Sequence, residues 1–378
     1  MEMSVYLPKF TIEAEFSKPQ NNPFTSTSIQ RLHPKGISSH GFKRAWDAGF
    51  TGKGIIVAIL DTGVDSSHPD LKDKVIKSID LTGESISESH GTHVAGTIAA
   101  NGWLVGGAPD ASILDIKVLG RSGGSVSNIV KAISLAIDNG AAIINMSLGS
   151  KNLSSEDILQ LTNAINNAWT KGVICIAAAG NDGTSICTPD PYQYPASVNK
   201  AESVAACDVG ENLDTISLSS FSNENNRVDL AACGHNVIST IIGGKYGIYS
   251  GTSMATPHVS AMAAILAQYI RNKYPDLKGS TFCSSLVSMI HLHVRKMDSC
   301  GIKSNISIRG KTLLIHSIDT ACVNVRSITS PTNPLVSTYS NISFGVGFMR
   351  YEPDSGPVSP QGEKYYNNNI FLGHQITQ

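Results

Sequence analysis

Four polar residues stand where they could do chemistry together. Asp61 closes the apolar run of "IIVAILDTGVD", His90 opens "HGTHVAGTIAAN", Asn181 ends "AAAGN", and Ser253 lies within "GTSMATPH". A carboxylate, an imidazole and a hydroxyl are the orienting group, the base and the nucleophile of acyl transfer. An asparagine amide and a backbone N–H at a helix start are donors suited to an oxyanion. Each residue also has a plainer reading. Asp before Thr-Gly is turn chemistry, His90 can cap or pack, Asn181 suits a left-handed turn, and Ser253 suits a helix N-cap.

Other chemistries fit less well. His90 and His93 form an HxxH pair, but no glutamate makes it HExxH and no CxxC pair completes a zinc set; His93 reads as structural. The serine segment G-T-S-M-A lacks the second glycine of a G-x-S-x-G elbow. Lys plus Arg is 29 against Asp plus Glu 30, so no electrostatic case exists for nucleic acid or an anionic membrane. No apolar run reaches transmembrane length. The N-terminus has no basic start followed by an apolar block, and the seven cysteines are scattered and odd in number. Both observations favour reduced thiols and a cytoplasmic location, with secretion left open. Three sequons, at Asn152, Asn305 and Asn341, would matter only for a secreted chain.

The elements that must position these residues are legible as alternating runs. Short β-branched stretches at 54–60, 111–119, 141–148, 172–180 and 203–207 read as strands buried on both faces. Between them, 128–140 and 156–172 read as helices, the first capped at Asn128 and the two stopping at Gly140 and Gly172. Residues from Ser253 onward read as another helix, with Pro257 expected in its first turn. Strand–helix alternation predicts an α/β fold, a doubly wound, mostly parallel sheet flanked by helices, with ligands beyond the strands' carboxyl ends. Asp61 and Asn181 end strands there; His90 and Ser253 open helices there, and a histidine facing the positive end of a helix dipole favours its neutral, proton-accepting form. From about 280 the pattern loosens: 280–297 reads as a helix and 305–318 and 344–351 as strands, before a polar tail.

The acid–base–serine order is the subtilisin order, and the motifs resemble the subtilase family of serine proteases. The matching stretches are 57–71, 89–100, 143–150, 177–183, 221–223 and 251–261, which span roughly residues 50–270 in family order. The resemblance implies a three-layer α/β/α catalytic domain over 46–278. It assigns Asp61 as the orienting acid, His90 as the base, Ser253 as the nucleophile, and Asn181 with the Ser253 N–H as the oxyanion hole. Protein or peptide substrate would add as a strand between Gly123, Gly124, Ser125 and Ser147, Leu148, Gly149, with its P1 side chain in a pocket walled by 147–149 and 177–180, including Ala178 and Gly180. Those walls carry no charge, so an uncharged, apolar P1 residue is expected. The rival reading is a catalytically inactive, peptide-binding relative; oligomeric state is left undetermined.

Three departures from the family pattern stand out. After "GTIAA" the Asn-rich loop that wraps a calcium ion is replaced by "NGWLVGGAP", leaving Asp70 without its loop partners. No cofactor is required; calcium at other oxygen sites stays open. Residues 1–45 form a short N-terminal extension, as in the intracellular subtilisins, and "VYLPKF" (5–10) is a candidate inhibitory segment across the site. Residues 279–378 form a divergent C-terminal part ending in a closing strand and a loose tail.

Overall fold

The computed structural model describes residues 4–18, 31–86, 88–183, 192–210 and 216–292, together with four short strands beyond them. In chain order the elements begin β1 (Ser4–Val5), β2 (Thr11–Phe16), α1 (Lys35–Ser39), α2 (Phe42–Asp47), β3 (Ile56–Asp61), β4 (Val75–Asp80), α3 (His90–Ala99), β5 (Ser112–Lys117), β6 (Gly124–Ser125), α4 (Val126–Asp138), β7 (Ile143–Met146), α5 (Ser155–Thr170) and β8 (Ile174–Ala178). They continue with β9 (Ala201–Val209), β10 (Ile216–Leu218), β11 (Leu230–Cys233), β12 (Val237–Ile241), β13 (Lys245–Ser250), α6 (Thr252–Lys273), α7 (Gly279–Leu292), β14 (Val294–Lys296), β15 (Ile306–Ile308), β16 (Lys311–Leu313) and β17 (Gly347–Met349). The polar tail and the sequons at Asn305 and Asn341 lie outside the described residues.

The expected α/β sheet is present. Its order is β14-β17-β11-β9-β8-β7-β3-β5-β4, with β10 added to β9. Every pair from β4 to β17 is parallel; only β10 and β14 join antiparallel. Strand alternation feeds two cores. Val57 and Ile59 of β3 face a cluster with α3, α6 and α7, while Ala58 and Leu60 face one with α4 and α5. Helices on both faces make the three-layer architecture.

Local capping differs from the sequence expectation in two places. The cap of α4 is Ser125, whose hydroxyl accepts from Asn128 N, so the helix begins before Asn128. Ser154 and Asp157 form a capping box at the start of α5, a stronger N-terminal signal than acids alone. Both choices matter for function because each fixes where a strand-to-helix turn sits at the carboxyl edge of the sheet.

Candidate active site

Asp61 ends β3, fully buried, and its Oδ1 lies 2.8 Å from His90 Nδ1. A carboxylate only accepts, so Nδ1–H donates and Nε2 is left as the basic nitrogen. Oδ1 also accepts from Thr62 N at 2.7 Å, so the turn role and the histidine contact coexist. Thr62 Oγ1 in turn accepts from Gly91 N, which pins the first turn of α3 against the Asp61 turn. A side chain at Gly91 would run into the Gly63 carbonyl. Neither His90 Nε2 nor Asp61 Oδ2 has a hydrogen-bond partner among the described residues. His93 is structural, as expected: it bonds the Val237 carbonyl, stacks on Tyr249 at 4.4 Å, and burial pushes it down to about 3.

The opening of α6 corrects two expectations. Gly251, not Ser253, is the N-cap, and Ser253 is the second helical residue. Pro257 lies inside the helix rather than in its first turn. Proline has no N–H, so the Ser253 carbonyl four residues earlier loses its helical donor. Ser147 Oγ replaces that donor at 2.9 Å, and Ser253 Oγ donates back to the Ser147 carbonyl at 3.1 Å. Asn145 supports Ser147, and Ser260 supports Asn145. The Ser253 hydroxyl is thus engaged with β7's continuation and not with His90.

Asn181 is oriented by the same helix start. Its Oδ1 accepts from Thr252 N at 2.8 Å, which turns Nδ2 outward, where it donates to the Lys9 carbonyl at 2.7 Å. Gly180 N bonds Thr252 Oγ1, tying the end of β8 to α6. Asn181 therefore lies beside the first turn of α6 with its amide donor already on a peptide carbonyl.

The chain's own N-terminus lies in the groove that the sequence assigned to substrate. Ser4 and Val5 pair antiparallel with Ser125 and Gly124, and Tyr6 exchanges both backbone bonds with Gly149 at 3.1 and 2.9 Å. A Cβ on Gly123 would fall 2.6 Å from the Val5 carbonyl, so the edge admits a strand only because it is bare. Val5 is fully buried, in one cluster with Leu119, Val126 and Leu148. Phe10 places its ring 4.8 Å from that of His90 and 5.5 Å from that of Tyr249, and β2 then pairs with β13. Segment 4–10 thus meets Gly123, Gly124, Ser125, Gly149, Asn181 and His90, while Ala178 ends β8 and Gly180 follows it. Sequence reading missed Gln193, whose side chain lies against Gly149 and Gly180 and which no motif announces.

Asp70 is saturated by the protein. Oδ1 accepts from Trp103 N, and Oδ2 from Leu104 N and the Tyr246 hydroxyl, at 2.8 to 2.9 Å. The short loop 101–109 folds directly onto the carboxylate, and a Cβ on Gly102 would collide with it. This donor set does not fit a calcium ion, which needs free oxygens. Among the described residues no group of three or more His, Cys, Asp or Glu is placed to hold a metal.

The parallel α/β sheet thus carries, at the carboxyl ends of its strands, a buried Asp–His pair, and, at the first turn of α6, a serine with an amide donor beside it. Comparison with known proteins gives the class. The Peptidase_S8 (subtilase family) model matches residues 52–303. The chain is 42% identical over 249 residues to the "Major intracellular serine protease" of Bacillus subtilis (strain 168), covering 62% of this chain and 75% of that one. It is 40% identical over 248 residues to the "Intracellular serine protease" of Paenibacillus polymyxa, covering 62% and 73%. It is 42% identical over 242 residues to "Subtilisin Savinase" of Lederbergia lenta, covering 62% and 84%. The chain belongs to the subtilase family, as a subtilisin-like serine endopeptidase near the intracellular type. No helix among the described residues is long and apolar enough to cross a membrane.

Proposed function

We propose that Asp61, His90 and Ser253 hydrolyse peptide bonds through an acyl-enzyme. Ser253 Oγ leaves the Ser147 carbonyl, transfers its proton to His90 Nε2 and attacks the scissile carbonyl. Asp61 holds the imidazole in the required tautomer and stabilises the imidazolium. Asn181 Nδ2 and the Ser253 N–H receive the oxyanion. His90 then protonates the leaving amine, and water repeats the sequence to release the acid. The single observation carrying this reading is the 2.8 Å Asp61–His90 pair with Nε2 open. Cleavage of an unfolded protein by the chain lacking residues 1–10, abolished in Ser253→Ala, tests it; equal cleavage by both refutes it.

Residues 4–10 act, in this reading, as an inhibitory strand. They occupy the substrate groove, seat the Lys9 carbonyl on Asn181 and lay Phe10 over His90. Substrates are proteins or peptides with an uncharged P1 residue. No calcium is required at the Asp70 loop, where the protein's own donors take the ion's place. The relatives' intracellular names, together with the neutral charge balance, support a cytoplasmic enzyme without nucleic-acid or membrane partners.

One observation favours a second reading. The Ser253 hydroxyl bonds the Ser147 carbonyl rather than His90, as it would in a peptide-binding relative without turnover. Serine-directed phosphonates separate the two, because only an assembled nucleophile reacts.

A further inference from the structure

The apolar strand β7 carries one polar side chain, Asn145, in the run Ile143–Met146. It is fully buried, in register with Ile59 of β3 and Ile176 of β8. Ile143, two positions earlier and so on the same face, packs into the cluster with α3 and α6. An apolar residue would suit that core, since a buried amide costs free energy unless it is hydrogen-bonded. The partners of Asn145 show where the amide is directed.

Three bonds run in one direction. Ser260 Oγ donates to Asn145 Oδ1 at 2.8 Å, Asn145 Nδ2 donates to Ser147 Oγ at 3.1 Å, and Ser147 Oγ donates to the Ser253 carbonyl at 2.9 Å. All four residues are fully shielded from solvent. A hydroxyl has one proton. With an N–H of Asn145 on its oxygen, the Ser147 hydroxyl directs that proton to Ser253. Were the amide turned over, its Oδ1 would take the Ser147 proton and the Ser253 carbonyl would lose its donor. The carbonyls on either side, of Thr252 and Met254, are bonded by side chains of α6 itself, Thr256 Oγ1 at 2.8 Å and His258 Nδ1 at 2.9 Å. Ser253 lies four residues before Pro257, which has no N–H to give. Its carbonyl is therefore held from the sheet. Ser253 Oγ donates to the Ser147 carbonyl at 3.1 Å. When Oγ turns toward His90 that bond is lost, while the Ser147 hydroxyl still holds the main chain in place.

We propose that Asn145 is a positioning residue for this reaction: acting through the Ser147 hydroxyl, it secures for the Ser253 carbonyl the donor that Pro257 withholds, and so fixes the point from which Ser253 Oγ attacks. The inference rests on the proposed role of Ser253 as nucleophile. Asn145 bonds Ser147 and not Ser253, so its whole effect passes through that hydroxyl. A misplacement of about 1 Å costs roughly 100-fold in rate, and a fraction of that shift costs roughly tenfold.

The test is a double-mutant cycle of Asn145→Leu and Pro257→Ala, read as kcat and KM on one peptide substrate in the full chain and in the chain lacking residues 1–10. Leucine keeps the volume of the amide and removes its hydrogen bonds. Asn145→Leu should lower kcat roughly tenfold, with KM within about twofold of the parent. Pro257→Ala returns an N–H to the Ser253 carbonyl, so in that background the same substitution should cost less than about twofold. Ser147→Ala, which leaves Asn145 in place, should repeat the pattern in kcat and decides the matter if Asn145→Leu does not fold. Equal losses in both backgrounds, or no loss in either, would overturn the positioning role while leaving the hydrolase reading intact. Absence of turnover from the unsubstituted chain, with and without residues 1–10, would overturn both.

Discussion

Val5 offers the sharpest handle on the closed groove. It is fully buried, whereas its neighbour Tyr6 is 52% exposed and contributes mainly backbone bonds. Val5→Ala removes two methyl groups, each worth ~0.8 kcal/mol of transfer, and leaves a small void between Leu119, Val126 and Leu148. The docked strand should weaken by about 2 kcal/mol, a factor of roughly 30 in the open fraction. Where the open fraction is small, kcat/KM rises in proportion to it, up to the ceiling set by deleting residues 1–10. The assay is peptide hydrolysis by the full chain, Val5→Ala, Tyr6→Ala and the deletion. We expect a rise of about 30-fold for Val5→Ala, less than about threefold for Tyr6→Ala, and the largest rate for the deletion. A peptide of residues 1–10 added back should compete with substrate. Equal rates for the full chain, Val5→Ala and the deletion would refute the argument that this strand governs access.

Asn181→Ala should lower kcat by roughly 10²–10³, the loss known for the oxyanion asparagine of subtilisin itself, with KM nearly unchanged; a near-normal kcat would remove Asn181 from that role. Chelators should leave the thermal midpoint unmoved, whereas Tyr246→Phe, which strips a phenol from the Asp70 carboxylate, should cost ~1.5–3 kcal/mol in urea titration; a large chelator effect would contradict the saturated Asp70 loop. His258 is fully buried, and burial pushes it down to about 4. Its unfolded form therefore binds a proton first, so its contribution is present above pH 6.5 and lost as pH falls toward 4. His258→Gln should flatten stability between pH 6 and 4.5 by about 1.4 kcal/mol per pH unit. Asp115 acts oppositely: burial raises it to about 6, so its contribution is present below its unfolded value and lost as pH rises through 6. Asp115→Asn should steepen the same limb, and an unaltered slope in both variants would refute these assignments.

The parts of the site that sequence made legible are those built from local backbone chemistry. Asp61 and Asn181 end apolar runs, and His90 opens a helix just after a polar turn, so periodicity alone placed them on one edge of the sheet. Where a contact joins distant segments, the local signal disappears. The Asp70 loop was visibly missing its asparagines, but the Tyr246 hydroxyl that completes the carboxylate comes from 176 residues away. Gln193 reaches Gly149 only because Tyr194 bridges to Ser150. Pro257 was misplaced for the same reason: its effect is read in the hydroxyl of Ser147, 110 positions earlier, and not in the helix alone. Ser125 and Gly251 as caps show a smaller version of this, since each is fixed by a neighbour outside its helix. The strand at residues 4–6 was legible in part, through Pro8 and the bare glycines at 123, 124 and 149.

The most direct test of the account is fluorophosphonate labelling of the chain lacking residues 1–10, with the adduct mapped by mass spectrometry beside Ser253→Ala and the full chain. The account predicts a single adduct on Ser253, absent from the variant and formed more slowly in the full chain. A folded, truncated protein that takes no label at Ser253 would contradict it.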